Sequence, residues 1–263
     1  MKAYKEADAP LSECPPQKDC KWRFFWRIGE RPADTKFGEL NAPPVVPAGI
    51  PEWTSTMNTW GGKLLGCVTG VAEMAARGFG LADDAFSSRM NMGPHLLAPT
   101  ATDLSRFGKE GTVCAGYHRD LNFLTIHGKS RFPGLYVWTR EGRKMMVRVP
   151  KGCLLVQAGI QAEYITAGHV MAGYHEVVVA PQTTAAIEAA TAAGRSLWRI
   201  SSTLFSHMAS DGALEPIAHF ADEAAAADYP RVFVGEQVNA ELAAINLGAA
   251  AGAEEAKEAE ATA

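Results

Sequence analysis

No run of about 18 uncharged apolar residues occurs in this 263-residue chain, so no segment reads as a membrane span. The most apolar window, Leu64 to Leu81, is broken by Glu73 and Arg77. The opening residues, Met1-Lys2-Ala3-Tyr4-Lys5-Glu6, have no apolar signal core, and the expectation is a soluble, cytoplasmic protein. An excess of positive charge is also missing. Lys+Arg number 25 against 29 Asp+Glu, a net charge of −4, which argues against nucleic acid as the main partner. Cysteine is sparse and odd in number: Cys14, Cys20, Cys67, Cys114 and Cys153 are scattered, as expected of reduced thiols rather than a disulfide framework. Cys14 and Cys20 have no second Cys/His pair nearby to complete a zinc site.

What is present is ordinary globular composition, 47% hydrophobic, enough for a sizeable core. Pro15, Pro16, Pro32, Pro43, Pro44, Pro47 and Pro51 exclude long helices from residues 1–57. That segment is expected to be irregular and to pack on the main body through Trp22, Phe24, Phe25 and Trp26. Helical spacing starts near Asn58, with Leu64, Leu65, Val68, Val71, Ala72, Ala75 and Phe79 on one side, and ends at Gly78 and Gly80. Glycines at 61, 62, 66 and 70 work against it. The period then changes. Leu121–His127, Gly134–Thr139, Lys144–Val149, Cys153–Gln157, Glu176–Val179 and Trp198–His207 read as short strands. Such spacing predicts a mainly β sandwich, jelly roll or barrel. An Ala-rich helix is expected over Thr184–Ala193 and an amphipathic one over 236–247. The domain expected is therefore 58–247, followed by a solvated Ala/Glu tail at 248–263.

One of the seven histidines stands in a special place. His118-Arg119-Asp120 sets an imidazole and a carboxylate two residues apart, on one face of an extended chain. Two imidazoles and one carboxylate with an open opposite face suit non-haem Fe(II). His175, 57 residues downstream at the start of a strand-like run, is the expected third ligand. His169 competes for that place, six residues earlier. His127 has the wrong parity relative to His118 and is expected to face away if the strand is regular. An HxD tripeptide alone is weak, because exposed His-Asp pairs near turns are common.

The surroundings are more specific. His118-Arg119-Asp120-Leu121-Asn122-Phe123-Leu124-Thr125 resembles the H-x-D-x-x-x-L-T strand of the Fe(II)- and 2-oxoglutarate-dependent oxygenases of the isopenicillin-N-synthase-like type. Gly134-Leu135-Tyr136-Val137 resembles that family's G-L-Q-V, and residues 149–159 its V-P-x-P-G-x-L-V-V-N-x-G. Thr166-Ala167-Gly168 stands in place of S-N-G, with His175 seven residues further on, and Arg199-Ile200-Ser201 matches R-x-S. The resemblance covers about residues 58–207. It implies a double-stranded β-helix (jelly-roll) core with flanking helices. It also implies His118, Asp120 and His175 as iron ligands, and Arg199 with Ser201 as the anchor for the far carboxylate of 2-oxoglutarate, a role for which a planar, permanently charged fork is suited.

By the same resemblance the chain oxidises an unactivated C–H bond of a small molecule with O2, releasing succinate and CO2. Tyr117, Asn122, Tyr136 and Trp138 are the substrate-facing candidates. There are departures. No Asn-x-Tyr pair precedes the HxD, Ile160 replaces a common Asp, and the Thr184–Gly194 helix lengthens the path from His175 to Arg199. The segment ahead of the first helix is shorter than the family's, as in a compact variant or an incomplete product. Two other readings stay open at this point: an iron oxidase of the same fold that does not use 2-oxoglutarate, and a non-catalytic metal- or small-acid-binding sensor. Fold does not choose among them, and the substrate and oligomeric state are not readable from the sequence.

Overall fold

A computed structural model describes residues 19–244. Cys14, the tail at 248–263 and the end of the expected last helix lie outside the described residues. The chain opens with β1 (Lys21–Arg23), β2 (Trp26–Ile28), the long helix α1 (Trp53–Gly78) and a short α2 (Ser87–Met90). The body follows with β3 (His95–Asp103), α3 (Leu104–Phe107), β4 (Val113–His118), β5 (Leu124–His127), β6 (Leu135–Trp138) and β7 (Lys144–Met146). Next come β8 (Leu155–Ala158), α4 (Ile160–Ile165), β9 (His175–Val178), α5 (Pro181–Ala192) and β10 (Trp198–Ser206). It closes with β11 (Ala213–Leu214), α6 (Glu223–Asp228), β12 (Val232–Phe233) and α7 (Val234–Ala244).

Two antiparallel sheets hold the body. The larger has the order β1-β3-β10-β5-β8, with β2 also on β3, and the smaller has the order β4-β9-β6-β7. From β3 onward the chain passes back and forth between them: β3, β5, β8 and β10 lie in the larger sheet, and β4, β6, β7 and β9 in the smaller. That alternation is the jelly-roll architecture expected from the sequence.

Side-chain parity fixes what each face of the larger sheet does. Leu97, Leu204 and Ile126 are neighbours in one cross-strand row and are buried in the same hydrophobic cluster as Leu64, Val68 and Ala72 of α1. The next row, with Thr203 opposite His127, faces the other way, toward the smaller sheet. The larger sheet therefore has an apolar outer face covered by a helix and a polar inner face.

α1 starts at Trp53, five residues ahead of Asn58, and runs unbroken through its glycines. Its buried stripe of Met57, Gly61, Leu64, Val68, Ala72 and Ala76 explains this. Each glycine costs about 1 kcal/mol in a helix, while each buried Leu, Val or Met returns roughly 1.5–3 kcal/mol. Gly61 has a further reason: a Cβ there would run into the Ile28 side chain of β2. The helix ends as expected. Gly80 takes φ +70°, Gly80 N–H donates to Arg77 O and Leu81 N–H to Ala76 O, the paired bonds of a Schellman stop.

Other differences are local. Residues 19–57 contain β1 and β2, which extend the larger sheet through β3, and Trp26 is buried while Trp22 and Phe25 are half exposed. β3, β4 and α4 have no counterpart among the expected elements. The expected strand at Leu121–His127 begins only at Leu124, because residues 119–123 carry the chain from one sheet to the other.

Candidate active site

β4 and β9 are antiparallel neighbours in the smaller sheet, and His118 and His175 are register partners where β4 ends and β9 begins. Asp120 follows in the crossover toward β5. The structure brings the three together: one ligand atom from each lies within 4.8 Å of the others. Asp120 Oδ1 is 3.7 Å from His118 Nε2 and 3.8 Å from His175 Nε2.

The backbone orients both imidazoles. His118 Nδ1–H donates to Gly116 O at 2.7 Å and His175 Nδ1–H to Gly173 O at 3.2 Å. A carbonyl only accepts, so each ring carries its proton on Nδ1 and turns the Nε2 lone pair inward. Burial, then the neighbouring His175, pushes His118 down to about 4, against the pull of Asp120. Burial alone would raise the Asp120 carboxyl, but His175, His118 and His127 hold it below the usual range. The site thus sets one carboxylate against two imidazoles, and among the described residues Asp120 Oδ2 is buried with no hydrogen-bond partner.

A cavity of about 330 Å3 opens from this triad between the sheets. Arg199, Ser201 and Thr203 line it from alternate positions of β10, whereas Ile200 between them is 55% exposed. Arg199 is buried, its Nε has no hydrogen-bond partner, and among the described residues it makes no ion pair. Burial lowers its pKa, opposed by the nearby Cys114 and Cys20. A second cavity, of about 560 Å3, meets the first at His118 and Asp120 and is lined by Phe25, Leu40, Leu96 and Phe205 among others. Arg23 lines both, with its Nε on Thr100 Oγ1 at 2.9 Å.

One expectation changes. His127 does not face away: it lines the first cavity. Counting parity from His118 fails because the two residues belong to different sheets. The local signal is the Thr125-Ile126-His127 alternation, in which the apolar Ile126 belongs to the outer face. His169 is outside the triad, with Nδ1 on Thr166 O at 2.9 Å and its ring against Phe220. Asn122 lines the second cavity and is also a brace: it donates to Leu124 O and Ser206 O and accepts from Thr125 Oγ1, pinning the crossover. Of the other candidates, Tyr117 stacks on Tyr174 and meets Trp138 edge-on, and Tyr136 lies under the Lys144 ammonium. Thr203 and Arg23 line the cavity without any motif in the sequence to mark them.

No protein-family model matches the chain, and no curated protein matches it. Solved structures do. A putative 2OG-Fe(II) oxygenase family protein from Caulobacter crescentus superposes with a TM-score of 0.73 and 24% identity, over 89% of this chain and 74% of that one. A full-length Neurospora crassa protein in complex with alpha-KG gives a TM-score of 0.69 at 20% identity, over 86% of this chain. The present chain spans 66% of the length of that Neurospora protein. The dioxygenase for auxin oxidation of rice gives 0.62 at 17% identity, covering 88% of this chain and 70% of that one. The jelly roll described above is thus the fold found in 2OG-Fe(II) oxygenases.

Proposed function

We propose that this protein is a non-haem Fe(II)- and 2-oxoglutarate-dependent oxygenase that oxidises an unactivated C–H bond of a small molecule, with release of succinate and CO2. One observation carries the reading: two imidazoles and a carboxylate converge at one place in a cavity that also holds a buried arginine with no carboxylate partner among the described residues. The donor set fits the metal. His118 and His175 each offer a free Nε2, Asp120 offers an unpartnered buried oxygen, and this combination suits Fe(II).

Bound Fe(II) with 2-oxoglutarate supplies the activation of O2, chemistry beyond any protein side chain. The chain supplies position and charge. Arg199 offers its guanidinium to the far carboxylate of the co-substrate, where burial excludes water and strengthens the pairing. Ser201, two residues on and on the same face, adds a hydroxyl donor. The second cavity takes the substrate. Its volume and apolar lining suit a small molecule, and the Neurospora protein binds thymine in one of its structures. The thiols of Cys20, Cys67, Cys114 and Cys153 are free, which fits a reducing, cytosolic setting.

The test is anaerobic. Fe(II) and then 2-oxoglutarate are added to metal-free protein, and the visible charge-transfer band of the chelated complex is recorded. A band that disappears in Arg199→Ala is the expected result. Iron binding without a band would move the assignment to an oxidase or a sensor, and no iron binding would overturn it.

A further inference from the structure

Among the polar side chains of the first cavity that the proposed function leaves unused, His127 sits beside the triad. His127 lies on β5, opposite Thr203 of β10 and Leu155 of β8. Its Nε2 is buried with no hydrogen-bond partner among the described residues, the nearby Gln157 side chain having an equally unpartnered Oε1, while Nδ1 is 3.3 Å from Thr203 Oγ1. The ring centroid is 6.3 Å from that of His175, with the planes at 77°. His127 is not one of the residues whose ligand atoms cluster within 4.8 Å.

Buried polar atoms in native proteins are nearly always satisfied, and an exception asks for an unseen partner. What that partner is follows from place and chemistry. Arg199 and Thr203 lie four residues apart on the same face of β10, about 13 Å at a rise of about 3.3 Å per residue. Arg199 therefore marks one end of the cavity, and the Thr203–His127 pair marks the other, beside the triad. A dicarboxylic 2-oxo acid held at one end by Arg199 presents its second carboxylate at the other. A neutral imidazole meets a carboxylate only as a donor. The Thr203 hydroxyl can donate to Nδ1, which puts the ring proton on Nε2.

We propose that His127 is a co-substrate-binding residue, whose Nε2–H, fixed by the Thr203 hydroxyl on Nδ1, donates to the triad-end carboxylate of 2-oxoglutarate. The inference rests on the reading of this cavity as the 2-oxoglutarate site. It adds a specificity element there: a fixed donor for a carboxylate that a neutral ketone could not use equally.

The test separates metal from co-substrate. Fe(II) affinity is measured by anaerobic titration calorimetry without 2-oxoglutarate, and 2-oxoglutarate affinity from the visible band of the full-length iron-loaded protein. For His127→Leu the expected result is unchanged iron affinity, 2-oxoglutarate binding weakened about tenfold or more, as for loss of a buried hydrogen bond to a charged group, and a shifted band maximum. His127→Gln, which keeps an N–H near the Nε2 position, is expected to recover most of the affinity. Thr203→Val is expected to lose part of it. Native 2-oxoglutarate affinity and band position in His127→Leu would overturn the proposal and leave His127 as packing. Lost iron affinity in that variant would overturn it in favour of a metal ligand. Wild-type protein that binds iron but not 2-oxoglutarate would overturn the proposed function together with this inference.

Discussion

His118 and His175 are register partners across β4 and β9, their ring centroids 4.2 Å apart, and each donates Nδ1–H to the carbonyl two residues before it. Strand pairing and two backbone carbonyls thus set both imidazoles before any metal arrives. Loss of such outer contacts typically costs a metal site about 10–100-fold in affinity, and loss of a ligand costs more. His175→Ala is expected to weaken Fe(II) binding by more than about 100-fold and to abolish oxidation, with the melting temperature of the metal-free protein little changed. Native iron affinity in that variant would show the ligand assignment to be wrong.

Arg199 is expected to act on the co-substrate alone. Removing one member of a buried, hydrogen-bonded ion pair costs roughly 3–5 kcal/mol, or a factor of about 150 to 5,000 in affinity. Arg199→Ala should therefore bind iron normally and 2-oxoglutarate very poorly. Arg199→Lys should recover only part, because a point charge cannot form the two parallel bonds of the guanidinium fork. Equal loss of iron and 2-oxoglutarate binding would instead indicate a collapsed site.

Much of this site is legible in the sequence because its signals are local. His118 and Asp120 are two residues apart, Arg199 and Ser201 likewise, and each pair needs only one stretch of extended chain to share a face. The convergence of His175 on them comes from resemblance, since spacing alone leaves His169 in competition. What is not legible depends on which sheet a strand enters. Reading residues 119–123 as strand puts His127 on the wrong face, because there the chain changes sheets. The early start of α1 is hidden for a different reason. Its stripe is buried against β2, β5 and β10, so tertiary packing outweighs glycine propensity.

Two histidines outside the triad predict an acid-sensitive fold. His207 N–H donates to His95 Nδ1 at 3.1 Å, so His95 must stay neutral at that nitrogen. Burial, then Arg27, pushes His95 down to about 4, and burial, then His95 and Arg27, pushes His207 to about 3. The unfolded chain protonates both near 6.5. Between that value and about 4 the unfolded state binds more protons, so stability is full above pH 6.5 and falls as pH falls. The slope is at most about 1.4 kcal/mol per pH unit for each histidine. Urea unfolding of iron-loaded protein at pH 7, 6 and 5 should show the decline, and His95→Gln should flatten it by close to one proton. An unchanged slope would mean that His95 titrates alike in both states.

Glu163 ties together the two segments that deliver the triad. Its Oε2 is 3.2 Å from Arg119 Nη1, between His118 and Asp120 in sequence, and accepts Ala172 N–H at 2.9 Å, just ahead of His175. Tyr229 donates to its other oxygen at 3.3 Å, and the Tyr229 hydroxyl is pushed up to about 12 by burial and by that carboxylate. Arg119 also lies over the Tyr174 ring, 5.1 Å from its centroid. Glu163→Ala would leave Arg119 without its acid and the Ala172 N–H without its acceptor. The expected loss is roughly 3 kcal/mol, the low end for a buried pair because Arg119 keeps some solvent contact. In a domain of this size that lowers the melting temperature by about 6–12 °C. A tether also predicts a second effect that a purely stabilising contact would not produce. Iron affinity should fall about tenfold even at temperatures where the variant is fully folded, because His118, Asp120 and His175 would no longer be held in one arrangement. Glu163→Gln keeps an acceptor for Ala172 and Tyr229 and should retain most of the iron affinity while losing part of the stability. If Glu163→Ala, folded at low temperature, bound iron as tightly as the native protein, the network would be stabilising the fold without positioning the triad.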